Sequence, residues 1–306
     1  MRVAAIDIGT NTVLLLVAER DASGVLRAVR EEATITRLGE GVDKSRVLRP
    51  EAIARTAACL ERYAAITRAL SVTQVAVVGT SAMRDAGGGD EVRATVRAAF
   101  GVEARTISGD EEARMTFRGA LSGLGVESGE VAVFDIGGGS TEIVIGTAPA
   151  GAAQAIRYAR SFDVGSVRMT ERHVASDPPT ADELRALREA VREALREVPR
   201  PRAGAPIVGI AGTVTTLVAV HLGLMPYDGA RVHGYALPVA ELDALATRLA
   251  GMPLSERRAL AGLEPKRADV IVAGAIVVSE VARALGATGI VASDRGVRWG
   301  LAETLA

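Results

Sequence analysis

The sequence is poor in cysteine and in lysine, and it has no excess of either charge. Cys59 is the only cysteine, which excludes an intramolecular disulfide and any zinc site built on paired thiolates. It lies on an alanine-rich stretch with helical spacing, where a buried structural thiol is expected. Lys44 and Lys266 are the only lysines among 36 basic residues. The rest are arginines, whose planar fork suits carboxylate and phosphate, but with alanine also abundant the bias is read as genome base composition and not as function. A formal net charge of −1 argues against nonspecific nucleic-acid binding. Met1-Arg2-Val3 leads straight into a strand pattern with no secretory signal, so a cytoplasmic protein is expected. No Walker loop, G-x-S-x-G elbow or H-E-x-x-H helix occurs. His173, His221 and His233 have no metal-ligand spacing and are expected to be structural. Residues 203–227 carry no formal charge and are long enough to span a bilayer. Their prolines, glycines and threonines read instead as a strand, a glycine turn and a buried helix, so no membrane association is expected.

What is present is an α/β pattern. With 306 residues, 48% hydrophobic and 24% charged, the chain has the size of two folded domains. Apolar runs at 3–8 and 13–17 flank a small polar turn and predict a β-hairpin. Further strands are predicted at 25–36, 75–78, 103–107, 154–161, 207–211 and 289–292. Helices are predicted at 50–69, 91–100, from 108, 181–197, 213–222, 239–250, 268–285 and after 295. Thr180 and Glu183 have the spacing of a capping box. Residues 131–137 repeat residues 3–9 with five of seven identities at an offset of 128. A turn and a second apolar run follow in both places. This is an internal duplication at domain scale, with the linker expected at 122–130.

The strongest chemical signal is Asp135-Ile136-Gly137-Gly138-Gly139-Ser140-Thr141-Glu142. Three glycines allow close backbone approach and turn N–H groups toward one anion. Ser140 and Thr141 add hydroxyls, and Asp135 and Glu142 are hard oxygen donors suited to Mg²⁺ or Mn²⁺. Its repeat partner, Asp7-Ile8-Gly9-Thr10-Asn11-Thr12, reads as a second phosphate-binding loop. Gly212-Thr213 closes a third glycine turn at a helix N-terminus, which also favours an anion. Arg84 follows the strand-end loop Gly79-Thr80-Ser81, on the side of a sheet where ligands gather. Ser108 and Glu111 have capping-box spacing, which gives Glu111 a structural task. Glu112, one helical position on, turns about 100° away and is the candidate general base.

Together these residues resemble the exopolyphosphatase/guanosine pentaphosphate phosphohydrolase (Ppx/GppA) family. Gly165-Ser166-Val167-Arg168, Arg267-Ala268-Asp269 and Ser293-Asp294 with Gly296, Arg298 and Gly300 extend the resemblance over essentially the whole sequence. The resemblance implies a duplicated actin-like, ribonuclease-H-like fold: domain I over 1–124, domain II from 125, and a last helix, about 293–306, packing back on domain I. It implies an interdomain cleft, a Mg²⁺ requirement, a homodimer, and stepwise removal of terminal phosphate from inorganic polyphosphate. The alternatives are pppGpp as substrate or a noncatalytic polyphosphate- or nucleotide-binding regulator. By motif position Glu112 matches the catalytic glutamate and a metal-site position. Asp135 and Glu142 match acidic metal-site positions, and Arg84 and Arg267 match arginines that face phosphate. The sequence ends at Ala306 without the C-terminal helical domains of long members, so short chains are the expected substrate. Trp299 departs from the acidic residue that many members carry there.

Overall fold

The structure, a computed structural model, describes residues 1–126, 128–148 and 156–306. The chain divides into two compact units. The first comprises Met1–Gly119 and Val297–Ala306, and the second Ala120–Gly296. Part of the predicted linker (residue 127) and the start of the predicted 154–161 strand (residues 154–155) lie outside the described residues.

In the first unit, β1 (Arg2–Ile8), β2 (Thr12–Arg20), β3 (Leu26–Ile35), β4 (Gln74–Gly79) and β5 (Ala104–Thr106) form one sheet. Its order is β3-β2-β1-β4-β5, with β1–β3 antiparallel and β1, β4 and β5 parallel. Strand β1 is apolar on both faces because both are covered. Ala4, Ile6 and Ile8 join a core with Leu60 and Tyr63 of the Pro50–Ala69 helix. Val3 and Ala5 join another with Val297, Trp299 and Leu301 of the Val297–Glu303 helix. Such two-faced burial is the mark of a helix-covered sheet. Pro50 starts its helix at the position where a missing N–H costs nothing. Trp299 is 2% exposed and packs with Val3 and Ala5 of β1.

In the second unit, β6 (Gly129–Ile136), β7 (Thr141–Ala148), β8 (Ile156–Phe162), β9 (Ile207–Ile210), β10 (Ala236–Pro238) and β11 (Gly289–Ala292) form a six-stranded sheet. Its order is β10-β11-β9-β6-β7-β8. Without β10, which was not predicted, this order and these strand directions copy the first sheet. The copy extends to individual pairs. Asp7 faces Leu14 and Asp135 faces Glu142, each shifted by 128. The outer ladder is irregular at Val17/Ala18 and again at Ile145/Gly146, at the same offset. An apolar core gathers the Ile271–Ala284, Val239–Ala250 and Ala211–His221 helices. The run at 203–227 contains β9 and, starting at the next residue, the largely buried Ala211–His221 helix. Among the described residues no helix is long and apolar enough to cross a membrane.

Candidate active site

In the first unit the carboxyl ends of β1, β4 and β5 are level. Ile8 pairs with Gly79 and Gly79 with Thr106. The Thr80 N–H donates to Ile8 O at 3.2 Å and the Ile107 N–H to Gly79 O at 3.1 Å. Three segments therefore leave the sheet from one rim: the 9–12 turn, the Ser81–Asp85 helix and the Gly109–Ala120 helix. This is where open α/β sheets bind ligands.

Asp7 ends the Val3-Ala5 face of β1 as a buried carboxylate. The Gly9 N–H closes the turn onto Thr12 O at 3.1 Å. Thr10 and Asn11 are buried, yet the Asn11 side-chain N–H₂ has no hydrogen-bond partner among the described residues. A buried donor left this way costs about 1–3 kcal/mol, so it marks a place made for an acceptor. Arg84 donates from Nη1 to Glu112 Oε2 at 3.1 Å and to Ile107 O at 3.1 Å, and its Nε lies 3.7 Å from Asp85. Glu112 is 6% exposed. The two residues predicted to share the chemistry are thus an ion pair, 28 positions apart in sequence.

The capping-box expectation is half met. Ser108 Oγ accepts from the Glu111 N–H at 3.2 Å, but the Glu111 carboxylate pairs with Arg105 instead of reaching back. Arg298, one of the family-motif arginines, is likewise occupied. It donates to Leu15 O and Glu32 O and pairs with Glu31, so it ties the C-terminal helix to β2–β3.

In the second unit the glycine loop is held from below. The Gly137 N–H donates to Ser140 O at 3.0 Å, repeating the Gly9–Thr12 bond at the 128 offset. Gly137 O accepts from the Ser166 N–H, and Gly138 O from the Val167 and Arg168 N–H groups. Arg168 is 5% exposed and donates Nε to Gly139 O at 2.6 Å. It braces the loop, a role its sequence position did not reveal. A Cβ on Gly165 would lie 2.4 Å from Gly138 O, so only glycine permits this approach.

Ser140 is buried, and its hydroxyl makes no hydrogen bond to the described residues. The Thr141 and Thr213 hydroxyls do: Thr141 Oγ1 donates to Val164 O, and Thr213 Oγ1 to Ile136 O at 3.2 Å. The Thr141 hydroxyl, expected to donate to a ligand, here anchors the loop. Arg267 lies over the third turn, with Nη1 2.4 Å from where a Gly212 Cβ would sit. Burial pushes its pKa down from the ordinary arginine value. Ala211, at the same turn, has φ 69°, a left-handed conformation that stores strain at a site.

Asp135 and Glu142 are direct cross-strand partners, both buried. Opposed residues on one face have Cβ atoms roughly 5 Å apart. Glu142 Oε1 accepts from Ser161 Oγ at 2.6 Å, which fixes one oxygen of the pair. No three His, Cys, Asp or Glu side chains cluster to enclose a metal among the described residues. A carboxylate pair without nitrogen or sulfur fits a hard cation that keeps water and phosphate ligands, as Mg²⁺ and Mn²⁺ do. Of the histidines, His221 packs on Tyr235 and His233 Nδ1 lies 2.9 Å from Asp294 Oδ1.

Two duplicated sheets, each with a first strand that ends in an aspartate before a tight turn, define an actin-like fold. The chain belongs to the Ppx/GppA phosphatase family, which matches residues 16–305, and it is a hydrolase. It is 43% identical to exopolyphosphatase 2 of Mycobacterium tuberculosis, over 100% of this chain and 98% of that protein. It is 33% identical to a bifunctional 3-dehydroquinate synthase/phosphatase of Fusobacterium nucleatum, over 95% of this chain and 44% of that protein. Among solved structures it resembles an exopolyphosphatase-like protein (TM-score 0.90, 32% identity, 100% of both chains). It also resembles the Aquifex aeolicus Ppx/GppA family member (TM-score 0.82, 31% identity, 100% of this chain and 97% of that one).

Proposed function

We propose that the protein is an exopolyphosphatase that hydrolyses the terminal phosphoanhydride bond of inorganic polyphosphate. The observation that carries this reading is the buried Glu112 carboxylate, held by Arg84 at the rim that also bears the unsatisfied Asn11 amide. Glu112 takes the proton of a water as that water attacks the terminal phosphorus. The bond from phosphorus to its bridging oxygen breaks, and orthophosphate leaves the shortened chain. Asn11 and the Thr10 hydroxyl donate to phosphate oxygens, and Arg84 both steadies Glu112 and offers charge to the polyanion. In the second unit the Gly138 and Gly139 N–H groups and the Ser140 hydroxyl are the phosphate donors, with Arg267 over Gly212 adding charge. Asp135 and Glu142 would hold Mg²⁺ or Mn²⁺, which when bound supplies positive charge to phosphate oxygens.

Phosphate release from tripolyphosphate, long polyphosphate, pppGpp and ATP, each with and without Mg²⁺, tests the reading. Release from polyphosphate that is faster than from pppGpp or ATP and needs the cation supports it. Faster release from pppGpp would make the guanosine nucleotide the substrate, and release from none would leave a binding protein.

A further inference from the structure

Residues 36–49 form a strap across the active rim of the first unit that none of the motifs accounts for. At one end the Thr36 and Arg37 N–H groups donate to Asn11 O at 3.1 and 3.0 Å, and the Gly39 N–H donates to Thr10 O at 2.8 Å. At the other end the Leu48 N–H donates to Gly87 O, and the Gly87 N–H to Arg46 O, at 3.0 and 2.9 Å. Gly87 is three residues after Arg84. The strap therefore bonds to the turn carrying Asn11 and to the segment that follows Arg84. Leu38, Val42 and Leu48 are buried and pin it to the core.

What the strap presents outward is positive. It carries Arg37, Lys44, Arg46 and Arg49 against Glu40 and Asp43. Arg49 approaches Glu40 at 3.8 Å. Lys44 and Arg46 are exposed and make no ion pair or side-chain hydrogen bond among the described residues. Lys44 is one of only two lysines in the sequence. Of four non-glycine residues with positive φ among the described residues, two are Arg37 (53°) and Arg46 (55°). Such conformations cost of order 1–3 kcal/mol, and here both are held by the backbone bonds just given. At the position equivalent to Arg37 by the 128 offset, the second unit has Gly165, packed against Gly138 with no room for a side chain. The duplicated copies differ here: one closes over its loop, and the other carries an arginine.

We propose that the strap is a distal subsite for polyphosphate, with Lys44 and Arg46 binding phosphates beyond those held at the Asn11 turn. The inference rests on the polyphosphatase reading above. A linear polyanion with one charge on each internal phosphate suits two unpaired cations on a rigid strap beside the loop that holds its end. Exposed single ion pairs are individually weak, so the subsite adds affinity by multiplicity and does so in a salt-dependent way.

The test compares wild type with the Lys44→Gln/Arg46→Gln double variant on tripolyphosphate and on long polyphosphate, at low and high salt. The subsite predicts a KM for long polyphosphate raised about threefold to tenfold, unchanged kcat, and a tripolyphosphate KM within twofold of wild type. The difference shrinks at high salt. Binding of long polyphosphate to the same double variant in a Glu112→Gln background should weaken by the same factor. Equal effects on both substrates, or none on long polyphosphate, would overturn the distal subsite while leaving the polyphosphatase reading in place. Failure of wild type to hydrolyse either substrate would instead sink that reading. An unchanged melting temperature in the double variant separates lost binding from lost folding.

Discussion

Asn11 and Glu112 show what single residues contribute. Asn11 is buried with its amide unsatisfied, so truncating it removes a donor that has no protein partner. Asn11→Ala is therefore expected to leave the melting temperature nearly unchanged. Its kcat/KM for polyphosphate should fall about tenfold to a hundredfold, the worth of a hydrogen bond to a charged acceptor. A large stability loss with normal turnover would make the amide structural. The neighbouring acids Glu111 and Glu112 separate in the same way. Glu111 pairs with Arg105 where both are partly exposed, so Glu111→Gln should cost under about 1 kcal/mol and spare activity. Sequence spacing separated the two because a cap at Ser108 fixes which way each residue turns: Glu111 lies partly exposed on Arg105 and Glu112 is buried on Arg84. It could not show that Thr141 and Thr213 spend their hydroxyls on Val164 and Ile136 carbonyls. Nor could it show that Arg298 is occupied by β2–β3. Those partners lie tens to hundreds of residues away and leave no local signal.

At the scale of elements, the loops work because other segments hold them. Gly165 is the clearest case, since an added Cβ meets backbone atoms that cannot step aside. Gly165→Ala is expected to destabilise the second unit by about 1–3 kcal/mol and to lower activity by shifting the 137–140 turn. Thermal melts and phosphate release on the same preparation would check both effects. The Ala181–Leu195 helix carries the predicted capping box in full, with Thr180 and Glu183 bonded reciprocally. The Glu183 carboxylate accepts from the backbone N–H of Thr180 first, then of Ala175 and Ser176, which holds its pKa down to about 2 from an ordinary 4.5. Because the folded pKa is the lower one, the stabilisation is full above the ordinary value. It fades as pH falls toward the folded one. The melting-temperature gap between wild type and Glu183→Gln should thus be widest near neutrality and narrow below about pH 4.5. A gap independent of pH would contradict this. Long periodic helices such as Pro50–Ala69 were legible to the residue. The strand β10 and the Ser166–His173 helix were not: β10 is three residues ending in a proline, and Ser166–His173 is mostly polar.

For the whole molecule, the duplication is the organising fact. A repeat of five identities in seven residues became two sheets with the same order, the same register and the same outer-strand irregularity. The repeat was legible because both first strands are buried on two faces and end in an aspartate at a turn. The divergence between copies was not: one turn is braced by the 36–39 strap and the other by Arg168 and Gly165. The first unit carries the Glu112–Arg84 ion pair, while the second carries the glycine loop and the Asp135–Glu142 pair. Glu112 as the base in terminal-phosphate hydrolysis is checked by measuring orthophosphate release and polyphosphate binding in Glu112→Gln beside wild type. The variant is expected to bind within a few-fold of wild type and to turn over about 10² to 10⁴-fold more slowly. Full turnover in that variant, or loss of binding and turnover together, would contradict it.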